Sequence, residues 1–517
     1  MKVISLAFLL CATLVAERFD VVVYGGTAGG VIAAIAASKE GQKTALLEPG
    51  RHLGGMTSGG LGRTDHGKKE TIGGMSLEFY KRLGKHYGED VTWYFEPHVA
   101  EKVLRDWAAE VGVKVFYRHR LREDRGVRKR GNRIREIFLE NGTKFEAKLF
   151  MDATYEGDLM AQAKVTYTVG RESSAQYEES LAGVRPKDRN HQFDFPVAAF
   201  DEAKQLLPEI QQGARGEIGA ADKKVQAYNF RMCLSDDPAN RVTFPRPANY
   251  DSSRFRLLIA YIEGWKKAKG RYPRMNELFI VSRLVKPSKT DINNRGAFST
   301  DYIGASWQYP EAIYAKRALI WQAHLDYTAS LFYFLATDPT VPEEIRSEVA
   351  KWGLCADEFI DTNHWPHQLY VREARRLVGE FVMTQKDIQS NLSKPDAIGM
   401  GSYNSDSHNV QRFVQADRTA QNEGNMEVPV TPYQIPYRVM LPRRKEAANL
   451  LVPVCVSSSH VTYSTLRMEP VYMILGQAAG LAARMAIDGN LDVQDVNGEA
   501  LSNLLREKGA VMEWKKP

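Results

Sequence analysis

The chain has 517 residues, enough for two or three domains that each bury a hydrophobic core. A hydrophobic share of 44% and a charged share of 26% are typical of a globular protein and exclude a disordered or fibrous chain. The net charge of +6 is too small for this length to indicate binding to nucleic acid or to an anionic membrane.

Residues 1–16 are predicted to be a signal peptide. Lys2 precedes an apolar run that is too short for a membrane span, and the first predicted strand follows directly after Ala16. We therefore expect an exported protein, periplasmic or extracellular, with no stable membrane insertion. Leu14 suits a cleavage site poorly, so an additional apolar strand or helix is the alternative. Three later cysteines are widely spaced, without C-x-x-C, which predicts neither a disulfide framework nor a metal site: Cys233, Cys355 and Cys455.

The segment Phe19 to Glu48 has the order of a dinucleotide-binding βαβ unit. Three consecutive valines predict a buried strand, Gly25 permits a tight turn, and Gly30 permits close packing of the helix on the strand. Glu48 ends the second strand, where a carboxylate can accept hydrogen bonds from ribose hydroxyls. Thr27 replaces the second glycine of G-x-G-x-x-G, and its hydroxyl is predicted to donate to a phosphate. An ordinary βαβ crossover is the alternative.

The next segments alternate between glycine-rich loops, helices and strands. Glycines 54, 55, 59 and 60 form a loop expected to lie near the first turn, either wrapping the cofactor or serving as a plain connection. Helices are predicted over 75–86 and 97–111, a strand over 113–117, and a β-meander over 118–150. The basic residues of that meander are interpreted as a solvent-exposed face. A strand at 149–151 is followed by a helix that begins near Gly157.

The amino-acid composition changes in the later part of the chain. Residues 190–395 are rich in aromatic residues and polar loops, with helices predicted around 311–334, 343–352 and 370–384. A strand at 449–456 and a small-residue helix at 470–487 resemble the first segment again. We predict a cofactor-binding domain in two parts, residues 17–190 and 396–517, with a substrate or cap domain, residues 191–395, between them.

Several motifs together resemble the FAD-dependent oxidoreductase family of bacterial, often exported proteins. They include VVVYGGTAGGVIAAIAA, LLEPGRHLGGMTSGGL, MDATYEGDLMA, HWPHQLYVREARR, GMGSYNSDSHNVQR and RMEPVYMILGQAAGLAA, and they span nearly the whole chain. The resemblance implies an α/β fold with a Rossmann-like, glutathione-reductase-like FAD-binding domain built from both chain ends and an inserted α+β substrate domain. It implies FAD as the cofactor, and a Thr at position 27 is usual in the family.

The residues that the resemblance assigns to the cofactor lie in four groups. They are Gly25, Gly26, Thr27, Ala28, Gly30, Glu48 and Pro49; Gly54, Gly55, Met56 and Thr57; Ala153, Thr154, Glu156 and Asp158; and Arg467, Met468, Gly476, Gln477, Ala478 and Ala479. The N-terminus of the last helix would face the flavin. Non-covalent FAD is expected, although His52, His66 and His460 are the nearest candidates for a covalent link.

Two polar clusters and one tyrosine are the candidates for catalysis: His364, His367, Arg372, His408 and Tyr463. Histidines titrate near neutral pH, and arginines bind carboxylates. Arg372 and Arg376 would share a helix face, Trp365 offers a platform for a sugar, and Asp406 can orient His408. Structural loops with hydrogen-bonded histidines and salt-bridged arginines are the alternative. No motif for a catalytic metal is present.

The leading hypothesis is hydride transfer between flavin N5 and a small, polar, carbohydrate-like substrate. One alternative is reduction of an unsaturated carboxylate, as in fumarate-reductase-like flavoproteins. Another is a non-catalytic binding protein on a flavoprotein fold. A nicotinamide-dependent dehydrogenase fits less well, because a second complete G-x-G-x-x-G is absent from the sequence. Oxygen, a quinone or a small protein would then accept the electrons.

Overall fold

The computed structural model describes residues 17–390 and 392–515. The predicted signal peptide lies outside these residues. The helices are α1 Ala28–Lys39, α2 Gly74–Tyr87, α3 Pro97–Glu110, α4 Asp158–Gln162, α5 Arg256–Lys269, α6 Met275–Leu278, α7 Tyr314–Thr337, α8 Glu343–Val349, α9 Gln385–Gln389, α10 His460–Leu466, α11 Glu469–Asp488 and α12 Gly498–Glu507. The strands are β1 Glu17–Tyr24, β2 Thr44–Glu48, β3 Lys114–Tyr117, β4 Val127–Arg130, β5 Arg133–Phe138, β6 Lys144–Asp152, β7 Tyr167–Thr168, β8 Met232–Ser235, β9 Arg241–Val242, β10 Phe279–Arg283, β11 Lys289–Asn294, β12 Gly353–Cys355, β13 Arg376–Leu377, β14 Ala397–Gly401, β15 Ser405–Ser407, β16 Gln411–Val414, β17 Ala420–Glu423, β18 Met426–Val428, β19 Tyr433–Pro436 and β20 Leu450–Leu451.

The main sheet has a parallel, Rossmann-like centre. Its strand order is β3-β2-β1-β6-β5-β4, and β20 pairs in parallel with the end of β6. Strands β3, β2, β1 and β6 run parallel, whereas β4 and β5 form the antiparallel meander. The three valines of β1 are fully buried, as a strand covered on both faces requires. The prediction of an α/β fold with a parallel sheet is confirmed.

Helices from both ends of the chain pack closely over this sheet. A Cβ atom at Gly476 of α11 would collide with the Gly29 carbonyl of α1, and one at Gly480 would press on Ala36. Small residues therefore allow the two helix backbones to approach each other. α11 is long and apolar enough to cross a membrane, but most of it is buried inside this protein. The prediction of a close-packing small-residue helix is confirmed.

The middle of the chain adds a second sheet and the longest described helix. Five antiparallel strands have the order β10-β11-β8-β12-β9. Helices α5, α7 and α8 belong to the same segment, and their buried residues join those of α1 and α11 in one hydrophobic core. The predicted helices near 311–334 and 343–352 are confirmed as α7 and α8.

Two predictions of secondary structure are wrong. Residues 370–384 are extended, with a short pairing of β13 to β7, rather than helical. There the fully buried guanidinium of Arg376 is bound by Glu172 and Glu373, so tertiary ion pairs override the helical pattern. The strand predicted over 449–456 pairs only at Leu450 and Leu451, and Pro453, which lacks an N–H, soon follows.

Candidate active site

A cavity of about 480 Å³ lies at the carboxyl ends of β1, β2 and β6, where doubly wound sheets bind their ligands. We call it the first cavity. Its lining residues are Gly25, Gly26, Thr27, Glu48, Pro49, Gly50, Arg51, His52, Gly55, Arg120, Thr154, Tyr155, Glu156, Tyr309, Trp321, Thr362, His367 and Gln368. Eight of the predicted cofactor residues are among them.

The glycine turn of the first cavity is closed by Thr27. Gly25 adopts a left-handed φ of 106°, and a Cβ there would lie 2.7 Å from the backbone of Ala153. The Thr27 hydroxyl donates to the Ala153 carbonyl (2.8 Å) and accepts from the Gly30 N–H (3.1 Å). It caps α1 and ties the turn to β6, so the prediction that it donates to a phosphate is not what this structure shows. The backbone N–H groups of the first turn of α1 still provide an anion site.

Glu48 lies at the wall of the first cavity. Its Oε2 accepts from the Gly26 N–H (2.8 Å) and its Oε1 from the Gly50 N–H (2.5 Å). Burial raises the pKa of Glu48 to about 7, although both backbone donors favour the ionised form. A group that titrates near neutral pH thus stands where ribose hydroxyls are expected.

Cationic side chains that the sequence analysis did not assign to phosphate binding form another wall. Arg51 and His52 directly follow Pro49 and Gly50, so their position in the motif was the available signal. A hydrogen bond to Glu101 raises the pKa of His52, whose other nitrogen lies 3.2 Å from Asp361. Arg120 reaches the cavity from the basic meander, which had been interpreted as a solvent-exposed face.

His367, a predicted catalytic residue, lies in the first cavity. Its ring stacks on His52 with centroids 4.0 Å apart. Burial lowers the pKa of His367 to about 3, so the ring is neutral. Both of its nitrogens are buried without a hydrogen-bond partner among the described residues.

A side chamber of about 230 Å³ extends the first cavity toward the middle of the chain, sharing Arg120, Thr154 and Glu156. Asp158 lines this chamber and is held by Arg317 and Arg375 at 2.8 Å each. Tyr309, Tyr314 and Trp321 add aromatic surface from the middle segment, which no motif had linked to the cofactor.

A buried hydrogen-bond network joins the glycine-rich loop to the start of α11. The Met56 N–H donates to the Tyr155 hydroxyl (2.9 Å), and this hydroxyl donates to Glu469 (2.7 Å). Thr57 donates to the other carboxyl oxygen of Glu469 (2.8 Å). Burial raises the pKa of Glu469 to about 7. The structure therefore brings together the loop and the helix start that were both predicted to contact the flavin.

A second cavity of about 210 Å³ is strongly polar. Its lining residues are Arg63, Asp65, His191, Arg231, Ile280, Ser282, Asn293, Asn294, Tyr403, Asn404, Asp406, His408 and Glu427. The two cavities share chain segments, because the loop that lines the first at Gly55 lines the second at Arg63 and Asp65.

His408 is the predicted catalytic residue that lines the second cavity. Its Nδ1 lies 2.6 Å from Asp301 Oδ2, and its Nε2 is 3.9 Å from Asp406. Arg372 lies 3.1 Å from the other oxygen of Asp301 and donates to the Ala227 carbonyl. Burial and the Arg372 guanidinium lower the pKa of His408. Burial opposes ionisation of Asp301, but Arg372 and His408 hold its pKa below the ordinary value.

Of the two arginines that line the second cavity, Arg63 donates to the Ser282 hydroxyl (3.2 Å) and Arg231 has an acidic partner. Arg231 donates to both oxygens of Asp291 (2.8 and 2.6 Å). Arg467, at the end of α10, donates to the Asp406 carbonyl (2.7 Å) and to the Tyr370 hydroxyl (2.9 Å). Three carboxylates face the same space: Asp65, Asp406 and Glu427.

Other candidates lie away from both cavities. His364 Nδ1 is bound to the Glu358 carbonyl at 3.1 Å, and Tyr463 shares a hydrogen bond with Tyr472 at 2.9 Å. Trp365 is buried and lines neither cavity, so it offers no sugar platform. Gly476 to Ala479 lie two turns into α11, where Gln477 accepts from the Met75 N–H (2.8 Å). These four residues pack helices together.

One cluster has the chemistry of a cation site. Glu96, His98 and Glu358 present ligand atoms within 4.8 Å of one another. The Lys289 ammonium lies 2.7 Å from Glu96 and 2.6 Å from Glu358, so it supplies the positive charge between them. A metal ion is not needed to explain the cluster.

The donors of the first cavity fit an ADP-containing cofactor. A glycine turn at the start of α1 faces a carboxylate suited to ribose, and Arg51, His52 and Arg120 supply positive charge for a diphosphate. A family model described as "FAD dependent oxidoreductase" matches residues 20–505. No protein of curated function matches the chain.

Solved flavoproteins resemble limited parts of the chain. The L-proline dehydrogenase of P. horikoshii is 16% identical with a TM-score of 0.25, and the match covers 31% of this chain and 59% of that one. The L-amino acid deaminase of Proteus vulgaris is 16% identical (TM-score 0.21; 31% and 62% covered). The T. acidophilum thioredoxin reductase is 22% identical (TM-score 0.18; 26% and 35% covered). The chain thus spans less than two thirds of each of these proteins.

Proposed function

We propose that this chain, which belongs to the FAD-dependent oxidoreductase family, transfers a hydride between its flavin and a small, polar, carbohydrate-like substrate held in the second cavity. FAD supplies a hydride acceptor or donor at N5 when bound. The protein must then place a substrate carbon beside the flavin and move the accompanying proton.

The observation that carries the proposal is the pairing of His408 with Asp301. Because the carboxylate accepts from Nδ1–H, the lone pair of a neutral His408 lies on Nε2, on the other side of the ring. The lowered pKa keeps this ring neutral at neutral pH, ready to accept a proton from a substrate hydroxyl. Arg372 is a positioning residue, because it contacts Asp301 rather than the cavity.

The charge pattern of the second cavity favours a neutral substrate with many hydroxyls over a dicarboxylate. A dicarboxylate needs two arginines without acidic partners, whereas Arg231 is neutralised by Asp291, so Arg63 is the lining arginine that remains to bind a carboxylate. Asp65 and Glu427 would repel a second carboxylate. Alternating donors and acceptors suit the hydroxyls of a sugar.

The proposal also includes the arrangement of the domains and the location of the protein in the cell. We assign a glutathione-reductase-like arrangement in which residues 17–190 and 396–517 bind FAD and residues 191–395 form an inserted substrate domain. The pairing of β20 with β6 and the packing of α11 on α1 support joint use of both chain ends. Residues 1–16 would direct export to the periplasm or the medium, and the mass of the mature N-terminus checks this.

The test is anaerobic addition of sugars, polyols and carboxylic acids to the FAD-loaded protein. Bleaching of the flavin band near about 450 nm by sugars or polyols is expected. The His408→Asn variant should slow bleaching by about 100-fold or more, because proton acceptance is lost. His119→Asn, the same change outside both cavities, is the matched control.

Two results would replace the proposal. If no sugar bleaches the flavin while an unsaturated dicarboxylate reoxidises it after chemical reduction, the enzyme reduces the double bond of an unsaturated carboxylate, as fumarate-reductase-like flavoproteins do. If the flavin exchanges electrons with no compound while FAD stays bound, the chain has a binding role.

A further inference from the structure

Two buried cysteines lie opposite each other on neighbouring strands of the five-stranded sheet. Gly353 of β12 pairs with Ser235 of β8, and Leu354 pairs with Leu234. The next pair in this antiparallel register joins Cys355 to Cys233. Directly opposed residues have Cα atoms about 4.5–5.5 Å apart, within the range that a disulfide spans.

The side chains point toward each other. The two Sγ atoms are 3.2 Å apart, so a closure of about 1 Å would bring them to covalent distance. Cys233 is 2% exposed and Cys355 is 0% exposed, and they pack with Leu284 and Phe359. Among residues 17–390 and 392–515, the side chains arranged to share a metal ion include neither cysteine.

We propose that Cys233 and Cys355 form a disulfide that fastens β8 to β12 when the chain folds with a disulfide-bearing oxidant. Each thiol loses a proton, and one thiolate attacks the oxidant to form a mixed disulfide. The second thiolate then displaces the oxidant's remaining sulfur, so the oxidant leaves as two thiols and carries two electrons and two protons. Because both thiols are buried in the finished fold, the exchange belongs to folding or to transient opening of the sheet.

The bond would join parts of the chain that serve both cavities. β8 directly follows Arg231, which lines the second cavity, and β12 leads into the segment that carries Thr362 and His367 of the first. It would close a loop across 122 positions of sequence. Long loops give a disulfide its largest effect on the unfolded chain. This inference is independent of the proposed substrate.

The test uses the full chain refolded with oxidised and reduced glutathione. After denaturation without a reductant, free thiols are alkylated and tryptic peptides are analysed by mass spectrometry. The expected result is a linked pair of peptides, residues 232–241 with 352–372, while Cys455 in peptide 446–467 is alkylated. Full alkylation of both Cys233 and Cys355 in folded protein overturns the proposal.

Variants distinguish this bond from other pairings. Cys355→Ser should remove the linked pair and leave Cys233 alkylated. Cys455→Ser, a matched change at another buried cysteine, should keep the linked pair. Reduction of the wild-type protein should lower its Tm by roughly 5 °C and leave the Tm of Cys355→Ser unchanged. Equal shifts in both proteins would contradict the inference.

Discussion

Glu48 makes the affinity for FAD depend on pH in a predictable way. Burial raises the pKa of Glu48 to about 7 in the FAD-free protein. Ribose hydroxyls donate to a carboxylate, so FAD should bind the ionised form. Protonated Glu48 must lose its proton before FAD binds. The apparent affinity for FAD is therefore the affinity of the ionised form multiplied by the fraction of Glu48 that is ionised.

The size of the effect follows from this pKa. With a pKa near 7, about 9% of Glu48 is ionised at pH 6 and about 91% at pH 8. The apparent Kd for FAD should therefore fall about tenfold between pH 6 and pH 8, which corresponds to about 1.4 kcal/mol. Glu48→Gln removes the titration and a charge-assisted hydrogen bond, so it should weaken binding at pH 8 by about 10-fold to 100-fold.

The assay is a titration of FAD with the apoprotein, followed by quenching of flavin fluorescence between pH 5.5 and 8.5. His52 and Glu156 also line the first cavity and titrate, so the ratio of the wild-type to the Glu48→Gln affinity isolates the contribution of Glu48. Glu202→Gln, a change of the same kind at an exposed position outside both cavities, should follow the wild type. A ratio that stays constant between pH 6 and 8 would refute this reasoning.

Three further changes probe the catalytic pair, the buried ion pairs and the first cavity. Asp301→Asn should slow flavin bleaching by about 100-fold and shift the acidic limb of the pH–rate profile to lower pH, because the Asp301 carboxylate raises the pKa of His408. An acidic limb at the same pH as in the wild type would contradict this. Burial opposes ionisation of Glu373, but His460 helps hold its pKa at about 2, so the stability it contributes is present above about pH 4 and lost toward pH 2. Glu373→Gln should lower the free energy of unfolding at pH 7 by about 3 kcal/mol and flatten its acid decline, measured by urea denaturation; a decline as steep as in the wild type contradicts this. His367→Phe keeps a ring and removes two buried nitrogens without partners among the described residues, so the unfolding free energy of the apoprotein should rise by about 1 kcal/mol; a fall in urea denaturation contradicts this.

The cofactor half of the site could be predicted because its signals are local. A strand, a glycine turn and a helix are adjacent in sequence, and Glu48 stands at a fixed distance from Gly30. Thr154 and Glu156 could be predicted for the same reason, because they closely follow the end of β6 in the sequence, and both line the first cavity. The error over Thr27 has a simple cause, because a hydroxyl at a helix N-terminus also caps the helix.

The substrate side could not be predicted in the same way, because its partners are distant in sequence. Asp301 is 107 positions from His408, and Asp291 is 60 positions from Arg231. No short motif records such pairings. The helical pattern of 370–384 failed for the same reason, since Arg376 is bound by Glu172, which is 204 positions away.

Two stretches of chain connect the two cavities, to which we have assigned the cofactor and the substrate. The glycine-rich loop lines the first cavity at Gly55 and the second at Asp65. The extended segment lines the first cavity at Gln368 and reaches Asp301 through Arg372. Had residues 370–384 been helical, each residue would advance only about 1.5 Å along the segment, compared with about 3.3 Å in extended chain. The non-helical chain from Gln368 to Arg372 therefore links the wall of the first cavity to the partner of His408 within four residues.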